Sequence, residues 1–575
     1  MSEEWLYPYY LGPYGENDHV IERYLLTFLR DHVFWRRNLH PDDLPAIPVS
    51  AQYTHEFTDF VSRMAQELHA LSSDLKRSVP WFSPRYLGHM ASDLLMPGLL
   101  AQVITTFYNP NNVVEDASPA TLNKELEVGR QLAEMFGFNT DPAEYPCAWG
   151  HLTSGGTVAN YEALWQFRSA KLYPLALRDT LIAYADFEGP QPRSGFDYRT
   201  CTPWQLLNLE LGEIMGWRRE VFAVLQNKSA AYRRTFIQAL KANRFENRGI
   251  IDFFRQHQSV KPPVVLIAST AHYSWEKAMK IMGLGTHQLV PIAVDEHMRL
   301  DAGALHETLA RCQMEEHPVL AVVGVLGTTE FGTVDPINAL IKAREEWQKQ
   351  GLSFFVHVDA AFGGYMASVF RNKDGKFRKR SEIRKQFQHF PSKHVYEAFK
   401  ALAKADSITV DPHKLGYLPY PSGAFVARNR EVSELIAQDA PYVFDVAAQQ
   451  TDFSDKLRNL GKYIFEGSKP GASAAAAFVT HKVVPLNHTG MGRIIGHTIR
   501  TCEALFEAIG PFAERWKERV LVRIPIEPDT NLLCLAMNPV GNTHLAGSNA
   551  FCRRVFQDLK IRPQAPNQNN PFFAS

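Results

Sequence analysis

Leu352-Ser353-Phe354-Phe355-Val356-His357-Val358-Asp359-Ala360-Ala361 is a mostly apolar run that ends abruptly on a carboxylate. Short runs that are apolar at nearly every position fit parallel strands buried on both faces. Four more runs share this character. Val264–Ala268 follows Pro262-Pro263, Val319–Leu326 follows Pro318, and Asp406–Val410 and Gly423–Ala427 complete the set. Amphipathic segments lie between them. In one, Ile337, Leu340, Ile341 and Trp347 share a helical face while Lys342, Glu345 and Glu346 face away. Alternating strands and helices predict an α/β domain with a mostly parallel central sheet.

Residues 1–118 read as a mostly helical, aromatic-rich N-terminal segment, punctuated at Pro41–Pro48 and Pro80–Pro84. Residues 119–439 form the large α/β domain. Residues 440–575 read as helices, one strand over Asn531–Met537 and a helix from about Ser548, a small α+β C-terminal domain. Three units agree with 575 residues at roughly 100–200 residues per domain.

Composition excludes several classes of function. Lys+Arg and Asp+Glu both number 61, so the net charge is zero and no basic excess points to nucleic acid. The basic stretch Arg371–Arg384 reads as a solvated face. The six cysteines form no C-x-x-C pair, which argues against zinc and disulfide frameworks. The N-terminus, Met1-Ser2-Glu3-Glu4-Trp5, has no apolar leader, and Leu94–Tyr108 is too short to span a bilayer. The expectation is a cytoplasmic protein with no membrane and no metal.

The chemistry gathers at strand ends, where open parallel sheets bind ligands. The run at 264 leads into Ser269-Thr270-Ala271-His272. That at 319 leads into Gly327-Thr328-Thr329, and that at 406 into Asp411-Pro412-His413-Lys414. Asp359 at such an end is an ordinary turn or helix-cap residue, or else the partner of a protonated ring nitrogen. A lysine near a strand end is usually solvated. One that binds a cofactor covalently needs a partly desolvated setting, and Pro412, His413, Leu415 and Gly416 restrain the chain around Lys414. Thr153-Ser154-Gly155-Gly156-Thr157 precedes a helical pattern over Val158–Tyr173, which presents backbone N–H groups to an anion. The sequence contains no G-x-G-x-x-G, no P-loop, no H-E-x-x-H and no G-x-S-x-G.

Together these residues resemble the pyridoxal-5′-phosphate (PLP) dependent group II decarboxylases of the aromatic amino acid and glutamate group, and among them most the bacterial tyrosine decarboxylases. The resemblance runs from about Trp35 to about Asn570. It includes Arg85-Tyr86-Leu87-Gly88-His89-Met90, Asn111–Thr121, His272–Trp275, His357–Tyr365, Asp411–Tyr420 and Glu466-Gly467-Ser468-Lys469. It implies PLP fold-type I, like aspartate aminotransferase, in a homodimer with shared active sites. By position, it implies that Lys414 carries the cofactor, Asp359 pairs with the pyridine nitrogen, and His272 and Ala361 face the ring. Gly156, Thr157 and His413 would hold the phosphate, Thr328 would also contact the cofactor, and Ser468 would reach it from the partner subunit. Tyr442 would return a proton to the α carbon, with Tyr420 a second tyrosine nearby. Thr153–Thr157 looks more like the wider group than like the tyrosine enzymes, which tend to have Asp-Gly-Ser there, and Phe362 replaces a common tyrosine. The chain ends soon after Asn570, where relatives continue, so the C-terminal domain is expected to be incomplete. The expected reaction converts an amino acid to its amine and CO2. L-tyrosine is the first candidate, with His89, Phe107, Tyr108, Tyr442 and Phe444 near the substrate. An acidic substrate would instead need a guanidinium, for which Arg85 is the candidate. A different PLP reaction, a non-catalytic PLP-fold binding protein and a scaffold are the rival classes.

Overall fold

Seven strands form one sheet: β1 (Trp149–Thr153), β2 (Val264–Ala268), β3 (Leu289–Ile292), β4 (Val319–Val325), β5 (Phe355–Asp359), β6 (Ser407–Val410) and β7 (Gly423–Ala427), in the order β1-β7-β6-β5-β4-β2-β3. The pairs β3–β2, β2–β4, β4–β5 and β5–β6 are parallel, and β7 runs antiparallel to both β6 and β1. The carboxyl ends of β1, β2, β4, β5 and β6 therefore meet at one edge. This is a computed structural model, and it describes residues 4–438, 453–561 and 571–574.

The sheet is buried on both faces, as its composition predicts. Successive side chains point to opposite faces. Val264, Leu266 and Ala268 join one apolar cluster with Val356 and Val358, while Val265, Ile267 and Phe355 join the other. Pro119–Phe136, Ile337–Gln348 and Lys393–Ala401 contribute helices to the first cluster. The long helix Gly156–Ala183, buried along most of its length, crosses the second face.

The N-terminal region contains the helices Asp18–Leu39, His55–Leu75 and Met96–Thr106. The C-terminal region holds Ala472–Val483, Met491–Trp516 and Leu545–Leu559, with a two-stranded antiparallel ladder of β8 (Val520–Arg523) and β9 (Ala536–Pro539). The strand expected at Asn531–Met537 thus starts later, at Ala536. The preceding residues spend their polar groups elsewhere. Thr530 Oγ1 donates to Gly332 O at 2.9 Å, and Asn531 Nδ2 donates to Thr498 Oγ1 at 2.9 Å. Among the described residues no helix is long and apolar enough to cross a membrane, and no cluster of metal ligands occurs.

Candidate active site

The strand-end residues line one cavity of about 220 Å³. Val325, Gly327 and Thr329 come from the end of β4, and Asp359, Ala361 and Phe362 from β5. Asp411, His413 and Lys414 follow β6, His272 and Tyr273 follow β2, and Gly155, Gly156, Thr157 and Asn160 follow β1. Gly327 turns the chain with φ +89°, and a Cβ there would lie 2.9 Å from Phe362 Cδ1, so a side chain would crowd both the turn and the neighbouring loop.

Asp359 is the last residue of β5 and is buried. Its Oδ2 accepts hydrogen bonds from Asn160 Nδ2 at 2.9 Å and Trp275 Nε1 at 3.0 Å, and Oδ1 accepts from the Ala361 amide at 3.3 Å. Behind it, His357 Nε2 lies 3.3 Å from Asn160 Oδ1 and its Nδ1 lies 2.7 Å from Ser407 Oγ. Burial pushes the His357 pKa down to about 4 against the pull of Asp359, so this ring is neutral near pH 7. The carboxylate is thus oriented by neutral donors.

His272 sits across the cavity mouth, with Nδ1 2.9 Å from Ser274 Oγ. Burial lowers its pKa, with Asp359 opposing, so it is an uncharged flat ring at neutral pH. Lys414 Nζ lies 3.2 Å from Asp411 Oδ2. Burial pushes the Asp411 carboxyl up to about 6, against the pull of Lys414. His413 is held down to about 4 by burial and by Lys414. Its Nδ1 accepts the Ser422 amide at 3.3 Å, so the ring proton is assigned to Nε2.

The helix Gly156–Ala183 opens on the cavity and brings the positive end of its dipole there. A Cβ at Gly156 would lie 3.0 Å from Asp411 Oδ2 and 3.1 Å from the Ala361 Cβ, so a side chain would fill this cradle. A phosphorylated flat ring fits such a place: amide donors for the phosphate, a carboxylate at the far end, a neutral histidine and a small alanine between them, and a reachable lysine.

The pyridoxal-dependent decarboxylase conserved domain model matches residues 229–465. L-tyrosine decarboxylase of Enterococcus faecium is 34% identical over 560 residues, covering 95% of this chain and 84% of the relative. This chain belongs to the pyridoxal-dependent decarboxylases. L-tyrosine decarboxylase of Enterococcus faecalis is 32% identical over 578 residues, covering 98% of this chain and 86% of that protein. The solved structure of Oryza sativa TDC with PLP and tryptamine matches with a TM-score of 0.57 over 97% of this chain and 90% of that one, at 13% identity, and so shares the fold. The protein is a PLP-dependent amino-acid decarboxylase, a carboxy-lyase of fold-type I.

Nine of the site residues expected in the decarboxylase border or line the cavity. Lys414, Asp359, Ala361, His272, Gly156, Thr157 and His413 line it, and the Tyr420 ring packs against His413, tilted by 31°, with ring centroids 4.0 Å apart. His89 stands at the lip, with Nε2 2.6 Å from Thr329 O. Thr328 does not line the cavity. Its hydroxyl lies 2.8 Å from Thr333 Oγ1 and stabilises the loop, while Thr329 occupies the cavity position. Tyr108 packs on His32 and Trp35, outside the cavity wall of its own chain. Arg85 Nη1 donates to Pro571 O at 3.3 Å, away from the cavity. Tyr442 and Phe444 lie outside the described residues.

Ser468 is exposed and accepts a hydrogen bond from Asn111 Nδ2 at 3.0 Å, also outside this chain's cavity. The next residue anchors its segment. Lys469 Nζ donates to Glu125 Oε1 and to Leu152 O, and Glu125 Oε1 also accepts the Leu152 amide at 3.0 Å. This buried pair ties the Ser468 segment to the end of β1, from which the glycine loop departs. Removing one partner of such a pair costs about 3–5 kcal/mol, because a charge is left buried alone.

Asn160 and Trp275 were not recognised from sequence. Asn160 had a signal, since it stands four residues after Gly156 and so on the same helix face. Trp275 had none beyond its nearness to His272, because its partner lies 84 residues further on.

Proposed function

We propose that the enzyme decarboxylates L-tyrosine to tyramine and CO2. The observation that carries this reading is that both Enterococcus relatives named L-tyrosine decarboxylase match nearly the full chain. The cavity supports it against an acidic substrate. Among the described residues no arginine lines it, and the guanidinium of Arg85 is engaged by Pro571.

Bound in this cavity, PLP supplies an electron sink for the bond that breaks at the substrate α carbon. Lys414 carries it, and Asp359 holds the proton on its ring nitrogen. His272 and Ala361 flank the ring. The Gly156 and Thr157 amides and His413 Nε2–H bind the phosphate. Tyr442 delivers a proton to the α carbon. Tyr420 is the second candidate donor, because its ring packs against His413 at the cavity. Amine production from L-tyrosine, L-DOPA, L-phenylalanine, L-aspartate and L-glutamate tests the substrate. Tyrosine should be preferred over phenylalanine by at least about 100-fold, since a site built to bind a hydroxyl leaves polar groups unpaired without it. Turnover of aspartate or glutamate, with none of tyrosine, would overturn the assignment.

The reading includes a homodimer with shared active sites, in which Ser468 and Tyr108 reach the partner's cavity. Its support is the apolar surface of the two N-terminal helices. Phe34, Trp35, Phe60, Leu68 and Leu71 are all about half exposed or more, and His55–Leu75 buries no residue. On His55–Leu75 the exposed Phe60, Met64, Leu68 and Leu71 follow at helical spacing, and an apolar stripe of this kind marks an interface. Sedimentation should show a dimer, and Ser468→Ala should weaken PLP binding. A monomer that binds PLP normally and turns over would sink this part of the reading. The division into 1–118, 119–439 and 440–575 is supported by the sheet lying wholly within the middle part. A cytoplasmic location is supported by six unpaired cysteines.

A further inference from the structure

A second cavity, of about 610 Å³, shares no lining residue with the first. Trp5 of the N-terminal turn and Phe387 form its aromatic walls, and the start of the helix Met491–Trp516 forms a third side. Lys385, His488, Arg493, His497 and Arg500 line it, and no carboxylate does among the described residues. Arg493, His497 and Arg500 recur at helical spacing, so they share one face of that helix. Gly496, between the arginines, lets the Phe387 ring approach the helix: a Cβ there would lie 3.2 Å from Phe387 Cζ.

Among the described residues no carboxylate pairs with these fixed cations. The nearest acid along the helix, Glu503, is turned to the adjacent loop. Its carboxylate accepts the amides of Gln388, His389 and Phe390 at 3.1, 2.7 and 2.8 Å. Lys385, Arg493 and Arg500 take part in no ion pair among the described residues. The arginines lie against the aromatic walls instead. The Arg493 guanidinium is 4.0 Å from the Trp5 ring centroid, and that of Arg500 is 5.8 Å from the centroid of Phe387.

Three permanent cations around a concave surface with apolar walls focus a positive potential. Their complement is an anion carrying comparable charge. Guanidinium forks match phosphate oxygens bidentately, and aromatic rings accept a flat base by stacking. We propose that this cavity binds a nucleoside polyphosphate, with Arg493, Arg500 and Lys385 on the phosphates and Trp5 and Phe387 beside the base. The bound nucleotide would lie on a helix that packs against the turn Gly363–Phe370, which follows the strand end carrying Asp359.

Calorimetric titration of the PLP-loaded enzyme with ATP, inorganic pyrophosphate and adenosine at physiological salt tests the assignment. ATP should bind saturably and more tightly than pyrophosphate, and adenosine should bind far more weakly than either. The double variant Arg493→Gln/Arg500→Gln should lose at least about tenfold in ATP affinity, since charge-assisted bonds of this kind are the strong ones. Trp5→Ala should weaken ATP without weakening pyrophosphate. Unchanged amino-acid turnover in both variants would verify that they fold. No ATP binding by the wild type, undiminished binding by the double variant, or equal affinity for pyrophosphate and ATP would each overturn the proposal.

Discussion

Lys414→Ala is expected to yield a folded protein that cannot hold PLP covalently and that loses amino-acid turnover by on the order of 10³-fold or more, the scale set by losing a covalently positioned reactant. The lysine follows β6 in the turn that begins at Asp411, and its amine faces the cavity beside the Asp411 carboxylate at 3.2 Å. Its side chain adds little to the apolar clusters on either face of the sheet, so the fold should survive. The electrostatics should nevertheless change. Asp411 already has its folded pKa raised to about 6 by burial, and Lys414 is what restrains it. A carboxyl whose folded pKa exceeds its unfolded value binds more protons when folded. Stability therefore falls as pH rises from about 4 through about 6. Without Lys414 that pKa climbs further, and the decline should extend to higher pH in the variant. Borohydride reduction after incubation with PLP, followed by peptide mapping, provides the direct check. The wild type should carry the label at Lys414 and the variant should carry none there. A variant that is still labelled in the cavity and still turns over would show that another lysine serves.

The parallel core was legible because its strands are apolar at almost every position. Val264–Ala268 appears with the bounds expected for it, and so does Gly423–Ala427, which however pairs antiparallel with both neighbours instead of parallel. The strands that escaped notice lack that signature. Trp149-Gly150-His151-Leu152-Thr153 has no β-branched run, and its place depends on antiparallel pairing with β7, more than 250 residues away. Leu289–Ile292 contains Pro291 and lies at the sheet edge, the position where proline is tolerated. In the active site, residues that touch the cavity from strand ends were readable one at a time, because β-strand geometry alone carries Asp359, His413 and Lys414 to the same edge. Two groups were not readable. Thr328 and Thr329 are adjacent, and only the closure of their loop onto Thr333 decides which one faces inward. Asn160 and Trp275 act on Asp359 from two different helices, and His357 acts through Asn160 from inside the strand. No local pattern announces a hydrogen bond between a tryptophan and a carboxylate on different elements.

That buried network sets the expected result for Asp359→Asn, a folded enzyme with near-full cofactor occupancy and turnover reduced roughly 100-fold or more. The fold should survive because the amide is nearly the same size and can keep its oxygen towards Asn160 and Trp275, which donate at 2.9 and 3.0 Å. Its amino group must then take the place of Oδ1, where it meets another donor, the Ala361 amide. The opposite orientation sets the amino group against the two side-chain donors, which is worse by one clash. Either way the side chain no longer offers a negative acceptor to a protonated ring nitrogen. His357 cannot compensate, because burial holds it neutral at about 4 and it lies behind Asn160. A charge-assisted hydrogen bond contributes about 1.5–3 kcal/mol, and each 1.36 kcal/mol is tenfold in rate. The loss should be larger than that of the bond alone, since an unprotonated ring is also a poorer acceptor for the electrons left at the α carbon. The loss should fall on kcat more than on KM, because the charge matters most when those electrons arrive. Steady-state kinetics with cofactor content measured on the same sample separates this from simple loss of PLP. Near-wild-type kcat at full occupancy would remove Asp359 from the role assigned to it and leave its hydrogen bonds to Asn160 and Trp275 as structural contacts.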